Sequence, residues 1–149
     1  ERVAELVSEQ PDDPSVLFFS THQYPHYPGT GRATERGKGK GEGLTINVPM
    51  SAGQGDEDYR EIFGRVLVPA AESFKPDFVL ISAGFDAHRE DDLGQMGLVE
   101  GDYVYITQRL MDVAAEFGEG RIVSTLEGGY NLSALARSDG AHVKALAQL

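Results

Sequence analysis

Apolar residues along the chain follow two rhythms. Val16-Leu17-Phe18-Phe19 and Phe78-Val79-Leu80-Ile81 are short, continuously apolar runs bounded by turn-forming residues. Such runs predict strands buried on both faces, as in a parallel sheet. Leu44–Val48, closed by Pro49, and Ile122–Leu126 predict two further strands. Between them the period changes. From Tyr59, the residues Ile62, Val66, Ala70 and Phe74 recur at every fourth position, which predicts a helix with one buried stripe, kinked at Pro69. Tyr103, Ile106, Leu110, Ala114 and Phe117 predict a second helix, and Leu132–Leu149 a third. Val3, Leu6 and Val7 predict a short helix ahead of the first strand, ended by Pro11-Asp12-Asp13-Pro14.

Strands alternating with helices imply an α/β class with a mainly parallel sheet flanked by helices. In such sheets ligands bind beyond the carboxyl ends of the strands. The three unusual segments, His22–Gly31, Ser82–Gly94 and Glu127–Asn131, all follow strands directly, so one sheet edge is expected to carry the site. The long, irregular stretch from His22 to Gly43 has the composition of a functional loop.

Composition narrows the chemistry. The 149 residues carry a net charge of -11, which disfavours a direct nucleic-acid partner. The absence of cysteine excludes disulfides and thiolate metal sites. No apolar run approaches the ~20 residues needed to span a bilayer, and no targeting segment opens the chain, so a cytoplasmic protein with no membrane partner is expected. Position 1 is Glu rather than Met, which suggests part of a longer polypeptide.

Three groups of residues invite chemical readings. Asp86 and His88, just past a strand, would give zinc an oxygen and a nitrogen ligand, or one ligand with a supporting hydrogen bond. Alternatively, Asp86 caps a turn and His88 is half exposed. Gly128-Gly129-Tyr130 either aims a phenol at a developing oxyanion or is a structural turn whose tyrosine covers the core edge. His22, Tyr24, Pro25, His26, Tyr27 and Pro28 either line an aromatic slot or pack their loop onto the sheet. Gly37–Gly41 lacks the spacing of a phosphate loop and reads as plain loop. The acidic clusters Asp56–Asp58 and Glu90–Asp92 read as solvated faces, and His142 as structural. A nucleotide-binding domain is excluded, because no glycine-rich loop joins the first strand to a helix.

Phe19-Ser20-Thr21-His22, Tyr27-Pro28-Gly29-Thr30-Gly31, Asn47-Val48-Pro49, Ser82–His88, Asp91, Leu93-Gly94 and Leu126–Asn131 occur in an order that resembles the zinc-dependent histone deacetylase superfamily. The wording of the Ser82–His88 and Leu126–Asn131 motifs is similar to the class II branch and the bacterial deacetylase-like amidohydrolases. The resemblance implies the C-terminal part of a single catalytic domain, residues 1–149, with an arginase/deacetylase-like fold. It also implies hydrolysis of an acyl amide, usually an acetylated lysine or polyamine.

By the same resemblance, Asp86 corresponds to a zinc ligand and Tyr130 to the tyrosine that steadies the oxyanion, with Gly128 and Gly129 beside the acyl group. Tyr27 and Leu93 correspond to the walls of the substrate tunnel. Ser20 and Thr21 correspond to a segment that helps hold potassium, and His88 to a supporting position that is not a ligand. Two departures stand out. Asp92 replaces a proline of the family motif, and the upstream His-His and Asp-x-His motifs, which supply the general base and two zinc ligands, have no counterpart before Val16. The 149 residues alone are therefore expected to be inactive and poorly folded. The alternative is a non-catalytic remnant that binds acyl-lysine or a protein partner.

Overall fold

The computed structural model describes residues 12–148, in two compact units divided between Ala52 and Gly53. The helix expected around Val3–Val7 lies outside the described residues. In the first unit, β1 (Phe18–Gln23) and β2 (Thr45–Met50) pair in parallel, with Phe18 opposite Thr45 and Gln23 opposite Met50. Parallel neighbours require a long crossover, which residues 24–44 provide. Their backbone is tied down: Gly43 N–H donates to Arg36 O at 2.7 Å, and Asn47 Nδ2 on β2 donates to Glu35 O at 3.0 Å. The Gly37–Gly41 run is more ordered than the plain loop expected, with a 3-10 turn at Gly39–Gly41 and Gly41 buried. Pro49 lies inside β2 rather than ending it. β2 has one neighbour among the described residues, so a missing N–H facing the other way interrupts no ladder.

In the second unit the order is α1 (Asp56–Ile62), a π-helical stretch (Phe63–Leu67), α2 (Val68–Phe74), β3 (Val79–Ala83), α3 (Glu100–Phe117), β4 (Ile122–Leu126) and α4 (Leu132–Leu146). The π stretch replaces the simple kink expected at Pro69. Pro69 has no N–H to give the preceding turn and its ring crowds the carbonyl four residues back, and wider turns there relieve both problems. Asp56–Asp58 form the first turn of α1 instead of a loop. The Asp58 carboxylate accepts from Gly55 N–H at 2.9 Å, and acidic side chains suit the positive end of a helix.

β3 and β4 pair in parallel from Val79 opposite Ile122 to Ala83 opposite Leu126. The burial of β3 corrects the expectation of a strand covered on both faces, and β4 is exposed in the same way at Val123. Leu80 and Val123 are each 50% exposed, whereas their neighbours Val79, Ile81, Ile122 and Ser124 are more covered. Successive side chains point to opposite faces, and among the described residues α3 and α4 pack together in a layer that meets β3. Phe85, Tyr103, Val113, Ala114 and Ala134 form the buried interior of this layer. The register matters for function, because it brings the segments that leave β3 and β4 to one edge.

Candidate active site

The segments after β3 and β4 are joined by backbone: Glu127 N–H donates to Ala83 O at 3.0 Å, and Phe85 N–H to Gly128 O at 2.8 Å. Asp86 is half-buried at this junction, and its carboxylate lies against glycine α-carbons. A Cβ on Gly128 would stand 2.6 Å from Asp86 Oδ2, and one on Gly84 would stand 3.0 Å from Oδ1. Gly94 closes on the Asp86 carbonyl in the same way. Behind the junction, the buried Tyr103 hydroxyl donates to Phe85 O at 3.1 Å. Burial pushes this phenol far up, with nearby carboxylates including Asp86 adding to the effect, so it remains a donor.

Tyr130 stands 47% exposed immediately before Asn131, the N-cap of α4, whose Oδ1 accepts from Ala134 N–H at 3.0 Å. Gly129 has φ +133°, and a Cβ there would meet Leu135 Cδ1 at 2.9 Å, so conformation and space both demand glycine. Leu93 is 57% exposed. His88 is buried at 1% exposure; its Nδ1 accepts from Glu90 N–H at 3.1 Å, and Nε2 stands 3.6 Å from Glu100 Oε1.

In the first unit, Ser20 and Thr21 lie on β1 opposite Asn47 and Val48. His22 lies 2.9 Å through Nε2 from Gly31 O and 3.0 Å through Nδ1 from Ser20 Oγ. A carbonyl can only accept, so Nε2 carries the proton and the Ser20 hydroxyl donates to Nδ1. His22 thus pins its own loop rather than offering a free ring. Tyr27 is 74% exposed.

Two residues essential to this geometry, Asp91 and Arg137, have no role assigned by the sequence alone, although Asp91 belongs to the motif series. Asp91, within a cluster read as solvated, gathers four backbone N–H groups: Leu93 and Gly94 at 3.0 Å each on Oδ1, Tyr130 at 2.7 Å and Asn131 at 3.3 Å on Oδ2. Burial raises its pKa, but the four donors outweigh that and hold it below the ordinary value. The Asp-x-Leu-Gly spacing signals the local turn, while nothing in spacing signals the reach to Tyr130. Arg137 on α4 donates to Glu90 Oε2 at 2.8 Å and also bonds Glu100, tying the loop after Asp86 to α4. A surface depression of about 920 Å³ along α3 and α4 includes neither Asp86 nor Tyr130, so the chemistry-bearing residues do not line it.

The fit to zinc is partial. Catalytic zinc usually takes three protein ligands, and among the described residues no three His, Asp or Glu side chains are placed to hold a metal ion. Asp86 is the one carboxylate at this junction that would serve as a zinc ligand, and the described residues by themselves make no zinc site.

The histone deacetylase domain pattern matches residues 4–146. The chain belongs to the histone deacetylase family. It is 47% identical over 127 residues to histone deacetylase 10, chloroplastic, of Oryza sativa subsp. japonica, covering 85% of this chain and 29% of the rice protein. A probable deacetylase of Archaeoglobus fulgidus is 44% identical over 121 residues, 81% of this chain and 34% of that protein. The structure of the histone deacetylase Clr3 superposes with a TM-score of 0.87 at 43% identity, covering 93% of this chain and 24% of that one. The crystal structure of the HDA15 HD domain gives a TM-score of 0.85 at 44% identity, with 91% and 39% covered. This histone deacetylase family chain thus has the α/β arginase/deacetylase-like fold, and spans about a third or less of the curated relatives named here.

Proposed function

We propose that the protein containing this chain is a zinc-dependent amidohydrolase that removes an acetyl or similar acyl group from a lysine side chain or a polyamine. The observation that carries this reading is the junction where Gly84 and Gly128 cradle the Asp86 carboxylate and the same turn presents Tyr130. When water adds to an amide carbonyl, negative charge gathers on its oxygen. A phenol on a fixed turn stabilises that charge without reorganising during the step. We assign this hydrogen bond to Tyr130, with Gly128 and Gly129 leaving room for the acyl group. Asp86 supplies one carboxylate to zinc, and the remaining ligands and the general base come from outside the described residues. Tyr27 and Leu93 are assigned to the walls around the substrate's aliphatic arm, Ser20 and Thr21 to a potassium site, and His88 to support of the Asp86 loop.

In the full-length protein, Tyr130→Phe should lower kcat by about 10²–10³-fold while zinc content stays constant. Wild-type turnover would remove the role given to Tyr130. A second reading, an inactive relative that binds acyl-lysine or a protein partner, draws on the incomplete donor set. Stoichiometric zinc and hydrolysis of an acetyl-lysine peptide by the full-length protein would exclude it.

A further inference from the structure

We propose that Asp91 is a positioning residue for Tyr130, an inference that rests on the hydroxyl role assigned to Tyr130 above. An ionised carboxylate offers about four lone-pair sites. Asp91 spends its two oxygens on four main-chain donors: Leu93 and Gly94 within its own loop, and Tyr130 and Asn131 in the turn after β4. The first pair closes a local turn. The second pair crosses 39 and 40 residues of sequence to grip the two peptide groups that set the direction of the Tyr130 side chain.

The start of α4 has its own N-cap in Asn131, which accepts from Ala134 N–H. The Tyr130 and Asn131 N–H groups therefore depend on a partner outside the helix. The loop that supplies Asp91 is itself anchored, since Arg137 on α4 holds the neighbouring Glu90 at 2.8 Å. Asp91 N–H also donates to His88 O at 2.9 Å, and the buried His88 fixes the start of the loop. The anion and the Tyr130 turn are thus tied together by hydrogen bonds, and a small rotation of the Tyr130 peptide would be magnified at the far end of its phenol. Asn cannot substitute, because its amide nitrogen donates and would face two N–H groups.

The test is a double-mutant cycle in the full-length protein, reading kcat, KM, zinc content and Tm with an N-acetyl-lysine peptide. Asp91→Asn is expected to lower kcat by about 10- to 100-fold at unchanged zinc content. In a Tyr130→Phe background the same change should alter kcat by no more than about twofold. A merely structural Asp91 would lower kcat and Tm equally in both backgrounds, and that result, or full kcat in Asp91→Asn, overturns the inference. Wild-type kcat in Tyr130→Phe sinks the reading of Tyr130 and this inference with it. A loss in Tyr130→Phe that is uncoupled from Asp91 sinks the inference alone. Should Asp91→Asn not fold, Asp91→Glu, which keeps the charge and both oxygens, carries the same cycle. Amide exchange in the wild-type protein needs no variant: protection of about tenfold or more is expected at Tyr130 N–H, and its absence overturns the grip.

Discussion

Gly128 and Asp86 approach so closely that a methyl group on the first would stand 2.6 Å from a carboxylate oxygen of the second. The backbone of Gly128 is not in the left-handed region, so the conflict is one of space alone. Gly128→Ala should push the Asp86 carboxylate aside, lowering turnover of the full-length protein by about 10²-fold and reducing its zinc content. Gly140→Ala is the control: nothing lies within 4 Å of the added carbon, in the middle of α4. That change should raise stability by about 0.5–1 kcal/mol in urea unfolding, as alanine generally does in a helix interior. Wild-type turnover and zinc in Gly128→Ala would show that the carboxylate does not need this approach.

What was legible in the residues follows from what is local. β4 runs over Ile122–Leu126 as the sequence predicts, and α3 ends at Phe117 where its periodic stripe ends. Boundaries shifted where side chains rather than hydrophobicity decide them: Asp58 starts α1 three residues before Tyr59, and Asp102 accepts Val99 N–H at 2.8 Å to start α3 ahead of Tyr103. The Asp86 and Tyr130 motifs were visible as words, yet the clamp between them was not. Asp91 meets Tyr130 because β3 and β4 pair in one particular register. Alternation in Val79–Ile81 was likewise hidden, because an unbroken apolar run cannot say which of its faces helices will cover.

Gly31 and Gly43 separate backbone strain from crowding. Their φ angles are nearly equal, +88° and +86°, but a Cβ on Gly31 collides with the His22 ring, whereas Gly43 faces open space. Gly43→Ala should cost about 1–2 kcal/mol, the penalty of a left-handed alanine. Gly31→Ala should cost about 1 kcal/mol more, since the His22 hydrogen bond to Gly31 O is lost as well. Thermal unfolding of the two variants measures the difference, and equal losses would mean that His22 moves aside freely.

His142 gives the fold a pH dependence with a definite sign. Thr107 Oγ1 donates to Tyr103 O at 2.5 Å, so its oxygen accepts from His142 Nδ1 at 2.7 Å, and His142 Nε2 accepts from Ser124 Oγ at 2.8 Å. Burial lowers the pKa of this imidazole from 6.5 against the smaller pull of Asp139. The unfolded chain therefore binds the proton first, and stability should fall as pH drops below about 6.5. Urea unfolding from pH 7.5 to 5.5 should show that decline, and less of it in His142→Gln. Thr107→Val should cost about 1–3 kcal/mol by stranding the Nδ1 proton. Stability that rises on acidification in the wild-type protein alone would reverse the assignment.

Arg137 tests how firmly the Asp91 loop is fastened to α4. Its guanidinium bonds Glu100 and Glu90 together, and the hydrogen bond to Glu100 is the main reason that carboxyl is lowered from 4.5 to about 2. The contribution is present above about pH 4.5 and is lost as pH falls toward 2, because the folded state gives up the proton more readily than the unfolded chain. Glu100 is 35% exposed and Arg137 42%, so water and salt screen the pair and keep its contribution small. Arg137→Met should raise the Glu100 carboxyl toward its ordinary range in a carbon-13 titration. It should also lower stability at neutral pH by an amount that shrinks in high salt. A Glu100 carboxyl that still titrates near 2 in this variant would place the source of its acidity in the α3 backbone instead.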